Sequence, residues 1–323
     1  MIDKSKIVSV APMLDWTDRH CRFFHRVLSK RVVLFTEMIT TGAILNGNQK
    51  KILEFSPEEN PVVLQLGGSS PEDLAESIRI AKDWGYTKFN LNCGCPSPRV
   101  QKGAFGACLM LEPDVVAKAF EAMAAAAGAE NVSVKHRIGV DCDASLEFTL
   151  GFMKPVYAAG CRDFIVHTRT ALLKGLSPKE NRTVPPLVRS IGFDVKDAFP
   201  DAFISINGEV AELQTAGEIL EKVDGVMIGR AAYHNPALLM GVDAMYGDES
   251  SITRLEAVQA MEEYIKTRIS GDRLAVRAVS RHVMGLMQGL SGAREWRRLL
   301  SDPATFKNHP LDYLTWAYGE IFG

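Results

Sequence analysis

Short apolar or β-branched runs recur along the first three quarters of the chain, at residues 7–11, 32–35, 62–66, 88–92, 132–137, 163–167, 203–206 and 225–228. Each is short enough for a strand buried on both faces, and polar stretches with helical periodicity lie between most of them. Residues 71–84 follow Ser70-Pro71-Glu72-Asp73, which reads as an N-cap, a proline and first-turn acids. Residues 113–127 and 146–159 carry apolar positions three and four apart. Beyond 241–251 the strand pattern stops, and helices are expected at 252–269, 274–290, 293–300 and 310–322.

Strand alternating with helix over about 230 residues predicts an α/β chain: a (β/α)8 TIM barrel followed by a C-terminal all-helical domain. The expected division is 1–245 for the barrel and 251–323 for the helical domain. A doubly wound open sheet is the competing fold, but no G-x-G-x-x-G follows the first strand.

Composition narrows this little. The 323 residues are 46% hydrophobic and 24% charged with a formal charge of −2, so polyanion binding requires a local patch. One is visible at 264–300, where Lys266, Arg268, Arg273, Arg277, Arg281, Arg294, Arg297 and Arg298 face only Asp272 and Glu295. Arg273, Arg277 and Arg281 recur every four residues, which places three guanidiniums on one helix face suited to phosphates. A solvated face with partners on the barrel is the competing reading.

Six scattered cysteines fit reduced thiols in the cytoplasm rather than a disulfide framework, and Cys93-x-Cys95 is too tightly spaced for a zinc site, so no metal is expected. The N-terminus lacks a signal-peptide core and no apolar run is long enough to span a membrane. A monomer is the default expectation.

The chemistry concentrates where barrel strands end. Asn90-Leu91-Asn92-Cys93-Gly94-Cys95-Pro96-Ser97-Pro98 carries Cys95 from an apolar run onto a Gly/Pro turn and makes it a candidate proton donor. A buried, inert thiol is the alternative for Cys95 and the expectation for Cys93. Gln65, Asn92, Lys135, His167 and Asn207 stand at the ends of strands three to seven. Lys135 lies on an apolar strand where an unpaired charge is costly, and a bound anion or anionic ring would relieve that cost. Asn207-Gly208 and Gly229-Arg230 follow strands seven and eight, the usual phosphate-binding position of this fold.

These segments, with Ala11–Asp18, Thr36–Ala43, Gly103–Met110 and Gly175–Arg182, closely resemble the flavin-dependent tRNA dihydrouridine synthases of the bacterial A-type subfamily over nearly the whole chain. The resemblance implies FMN at Pro12, Met13, Leu14, Gln65, Lys135, His167, Asn207, Gly208, Glu209, Gly229 and Arg230. It implies NADPH as reductant and tRNA as substrate, at positions 20 and 20a of the D-loop. Hydride would reach C6 of uridine while Cys95 protonates C5, a role suited to a thiol whose reference pKa of ~8.5 keeps it mostly protonated at neutral pH. The uridine would have to be flipped out of the RNA, with Asn92 holding its edge and Lys179, Arg182, Arg294 and Arg297 gripping the backbone. Glu209 stands where many members carry glycine or aspartate, which leaves its side chain's role open. Competing functions are a reductase of free pyrimidines, a noncatalytic tRNA-binding scaffold, and a Schiff-base aldolase using Lys135.

Overall fold

A computed structural model describes residues 1–248, 252–269, 273–309 and 312–323. Eight parallel strands run β1 Ile7–Val10, β2 Leu34–Thr40, β3 Val62–Gly67, β4 Lys88–Cys93, β5 Val132–Arg137, β6 Asp163–His167, β7 Phe203–Asn207 and β8 Gly225–Ile228. Each pairs with its sequence neighbour, and β8 returns to β1 with Gly225 opposite Ile7. Between β1 and β2 the ring is completed by Val33, whose carbonyl accepts from Val10 N and whose N–H donates to Val8 O, both at 2.9 Å. The expected barrel is therefore closed, and its strands are apolar because both faces are covered.

Helices α1 Arg19–Leu28, α2 Pro71–Asp83, α3 Pro113–Ala127, α4 Leu146–Ala158, α5 Arg189–Ala198 and α6 Leu213–Leu220 pack around the strands. Their starts are written locally: Ser70 Oγ accepts from Asp73 N at 3.2 Å to cap α2, and Asp18 Oδ1 accepts from His20 N and Cys21 N to cap α1. In α2 the residues Leu74, Ala75, Ile78 and Ala81 bury one stripe against the barrel.

Past β8 every described element is helical, including α7 Arg254–Arg268, α8 Arg273–Val283, α9 Ala293–Ser301, α10 Pro303–Asn308 and α11 Tyr313–Phe322. Two expectations need correction here. The helix expected over 274–290 stops at Val283: beyond it the backbone runs through tighter turns, with Leu286 N donating to Val283 O and Gln288 N to Gly285 O at 3.0 Å, and Gly289 sits at φ +85°. The last helix begins at Tyr313, after a short helix capped by Asp302 that periodicity did not reveal; residues 310 and 311 of the expected element lie outside the described residues. The fully buried Trp296 anchors the helical region, donating from Nε1 to Val283 O at 3.3 Å.

In the arginine row on α8, Arg281 is not free for phosphate. Arg281 turns toward the barrel and donates to Asp18 Oδ2 at 2.6 Å, beside His282, whose Nε2 lies 3.0 Å from Asp18 Oδ1. Arg277 is exposed, and the side chain of Arg273 and residue Asp272 lie outside what the structure describes. Asp18 thus caps α1 through Oδ1 and ties Arg281 to the barrel through Oδ2. Among the described residues, no helix is long and apolar enough to cross a membrane.

Candidate active site

The C-terminal ends of the strands surround a cavity of about 1160 Å³. It brings together Pro12, Met13 and Leu14 after β1, Gln65 of β3, Asn92 and Cys95 at β4, Lys135 of β5 and His167 of β6. Asn207, Gly208 and Glu209 at β7, Gly229 and Arg230 after β8, and Arg182 from the loop after β6 complete the set. Lys179, Arg294 and Arg297 are exposed and lie outside its lining.

A chain of amides crosses the barrel interior and fixes the Cys95 turn. Asn90 Nδ2 donates to Ser133 Oγ at 2.8 Å, Gln65 Nε2 to Asn90 Oδ1 at 2.8 Å, and Asn92 Nδ2 to Gln65 Oε1 at 2.9 Å. Thus oriented, Asn92 Oδ1 accepts from both Gly94 N and Cys95 N at 3.0 Å. Asn92 therefore builds the turn and keeps a single amide hydrogen for anything else. Cys95 is partly exposed to the cavity, whereas Cys93 is fully buried and burial pushes its thiol well up from the usual range.

Lys135 Nζ donates to Asn207 Oδ1 at 3.2 Å, and Asn207 is itself held by donating from Nδ2 to Met227 O at 2.8 Å. Burial, then the nearby Arg137, pulls the Lys135 amine down to about 7. The same burial, together with Arg137 and Lys135, holds His167 neutral well below the ordinary histidine range. No carboxylate among the described lining residues pairs with Lys135, so the cavity floor is short of negative charge.

The lining carries Lys51, Arg99, Lys135, Arg137, Arg182 and Arg230 against Glu37 and Glu209. One of these acids is diverted: Glu209, at φ +45°, turns its carboxylate to Arg169 at 2.5 Å. Gly208 is obligatory, since it sits at φ +138° where a Cβ would lie 2.8 Å from Leu187 and Thr168. At Gly229 a Cβ would meet nothing nearer than Asn207 Nδ2 at 3.9 Å and would instead project into the cradle between β7 and β8. Arg230 approaches there, donating from Nη2 to Arg182 O at 3.2 Å.

Reasoning from strand ends did not find Glu37, Lys51, Arg99 or Arg137. Glu37 is half-buried and raised by that burial, with Oε1 taking Asp15 N at 2.5 Å. Lys51 and Arg99 come from the short helices Gln49–Leu53 and Pro98–Lys102, whose side chains no strand periodicity places. Arg137 was legible only as the third residue of Lys135-His136-Arg137, pointing to the same mouth as Lys135 by the two-residue period of a strand.

A closed barrel whose basic, strand-end cavity has this size is an enzyme of the barrel class built around a small-molecule site. The chain belongs to the dihydrouridine synthase family, which it matches over residues 9–316. It is 50% identical over 298 residues to a tRNA-dihydrouridine(20/20a) synthase of Pasteurella multocida, covering 92% of this chain and 90% of that one. It is 48% identical over 318 residues to the protein of the same name from Vibrio cholerae, covering 97% and 96%. Its fold is shared with morphinone reductase solved in complex with tetrahydroNAD, at a TM-score of 0.53 and 11% identity over 74% of this chain and 86% of that one.

Proposed function

We propose that this chain reduces the C5=C6 bond of uridines at positions 20 and 20a of the tRNA D-loop to 5,6-dihydrouridine, using FMN as carrier and NADPH as reductant. The observation that carries this reading is a thiol, Cys95, held by Asn92 on the wall of the same cavity into which an under-neutralised Lys135 projects.

The residues present fit a flavin. Lys135 lacks an anion and would find one in the ring, with Gln65 and His167 beside it and Pro12, Met13 and Leu14 along the edge. The cradle at Gly208, Gly229 and Arg230 offers backbone approach and a guanidinium for the phosphate, near Asn207. The backbone of Glu209 contributes there, since Arg169 takes its carboxylate. When bound and reduced, FMN supplies the hydride that adds at C6.

Cys95 holds the proton that adds at C5, so one hydride and one proton saturate the bond, and the thiolate left behind regains its proton from solvent. A stacked uracil cannot reach this depth, so the nucleotide is extruded at a cost of a few kcal/mol, least in an already open loop. The remaining amide hydrogen of Asn92 faces the base, Arg182 and Lys179 hold the flanking backbone, and Arg294 and Arg297 engage the tRNA body. The protein acts as a cytoplasmic monomer.

The test is a visible spectrum of purified protein followed by NADPH and then unmodified tRNA in one cuvette. Bleaching by NADPH and recovery with tRNA are expected, with recovery lost in Cys95→Ala; turnover of free uridine at the same rate would sink the tRNA assignment.

A further inference from the structure

The loop joining β6 to α5 carries Arg182 and Lys179, and it is fastened to the Cys95 turn on both sides of the cysteine. On one side Arg137 Nε donates to Gly94 O at 2.8 Å while its Nη1 donates to Thr170 O at 2.8 Å and Asn181 O at 2.9 Å. On the other side Gln101 Nε2 donates to Pro96 O at 2.8 Å and to Leu173 O at 3.0 Å. Inside the loop, Asn181 accepts from Leu172 N at 2.7 Å and donates to Leu172 O at 2.9 Å, which makes its two attachment points one unit.

The two struts differ. Arg137 also lines the cavity, so its removal disturbs charge at the site, whereas Gln101 lies outside the lining and its carboxamide does nothing but join the two backbones. Both hydrogens of one amide group are spent on carbonyls, one five residues before Gln101 and the other 72 residues after it. The remaining carbonyl of the turn, Cys95 O, is held by Ala107 N at 2.9 Å, from the segment that follows Gln101. A displacement of the loop therefore reaches the cysteine through Gln101 without passing through the cavity.

We propose that Gln101 is a positioning residue that couples the 170–182 loop to Cys95, so that nucleic-acid phosphate engaged by Arg182 sets the thiol for proton transfer. The proposal rests on the tRNA-reducing function above. A ligand that pulls on the loop and a turn that must hold one atom still are joined here by two hydrogen bonds, and losing them leaves binding intact while the thiol loses its register.

The experiment uses flavin-loaded enzyme and the near-isosteric Gln101→Met. NADPH-driven reduction and tRNA affinity should be unchanged, while reoxidation of the prereduced enzyme by saturating tRNA slows about tenfold, the loss expected of a hydrogen bond. Arg182→Ala should slow reoxidation at saturating tRNA in the wild-type background and much less in the Gln101→Met background, as for coupled residues. An unchanged saturating rate, or effects that simply multiply, overturns the coupling. Gln101→Glu, equal in shape but lacking donors when ionised, serves in the same tests if the methionine variant does not fold.

A second readout needs neither RNA nor reductant. Mapped iodoacetamide labelling of Cys95 and hydrogen exchange of residues 170–182 should both accelerate in Gln101→Met; faster loop exchange with unaltered Cys95 labelling refutes the proposal. If the wild-type protein does not reduce tRNA, the functional reading fails on that result alone, and the labelling still decides the coupling.

Discussion

Lys135 and Asn207 meet across the barrel mouth, Nζ to Oδ1 at 3.2 Å, so an amine from β5 is positioned by an amide that β8 in turn holds through Met227 O. The arrangement orients the amine without neutralising it, and burial brings its pKa to about 7 from an ordinary 10.5. A reduced flavin bound as proposed would set its anionic ring beside the amine and restore the charge. Binding of the reduced flavin near pH 8 should then be accompanied by proton uptake, since the amine is mostly neutral before binding and protonated after. Calorimetry in buffers of differing ionisation enthalpy should show close to one proton taken up at pH 8 and little at pH 6. In Lys135→Met both the uptake and most of the affinity should be lost; uptake that persists in that variant would place the proton elsewhere.

Cys95 and Cys93 sit two residues apart with opposite expectations. Cys95→Ala should keep flavin content and reduction by NADPH, yet reoxidation by tRNA should fall by a factor of roughly 10²–10⁴, the range for a positioned proton donor. Cys93→Ala should retain the reaction and lose roughly 1 kcal/mol of stability through the small cavity left in the core. Paired stopped-flow traces and urea melts separate the two roles, and an inactive, well-folded Cys93→Ala would reverse them.

Much of this architecture was readable because parallel strands buried on both faces write themselves as continuous apolar runs. The predicted Val132–Arg137, Asp163–His167 and Gly225–Ile228 coincide with β5, β6 and β8, and β4 extends one residue further to the buried Cys93. Gln65, Lys135 and Asn207 were found because a strand end is a fixed address in a barrel. What stayed hidden depends on pairing at long range. Asp18 caps α1 locally, but nothing local says that it also receives Arg281 from 263 residues away. The side-chain acceptor of Asn92 was equally illegible, because a free amide and one spent on Gly94 and Cys95 share one sequence.

The seam between α1 and the helical region carries an acid-sensitive group. His25 is fully buried, 3.5 Å from Cys21 Sγ, and burial followed by nearby His282 pulls it down to about 3; burial likewise lowers His20 to about 4. Both are neutral when folded and take up protons on unfolding below the ordinary 6.5. The unfolded state therefore binds more protons between pH 6.5 and about 4, so stability falls as pH falls through that window. Urea midpoints measured from pH 7 to 4 should decline steadily. His25→Gln should flatten the decline by close to one proton's worth, and an unchanged slope would assign the acid lability to other groups.

Arg294 and Arg297 stand three residues apart on the exposed face of α9, opposite the buried Trp296 and Leu300. Arg294 makes no hydrogen bond among the described residues, and Arg297 only a 3.2 Å bond to Gln288 Oε1. Arg268 carries the same charge but is committed to Glu58 and Ser56 on the barrel. If the α9 pair reaches RNA phosphate, replacing both with alanine should weaken tRNA binding and lower the slope of log affinity against log salt by roughly 1.5 units, at unchanged flavin content. Arg268→Ala should leave that slope in place and cost only the small stability of an exposed ion pair. Salt titrations of all three proteins against one tRNA distinguish a phosphate-binding face from general positive charge, because only the first predicts that Arg268 is silent.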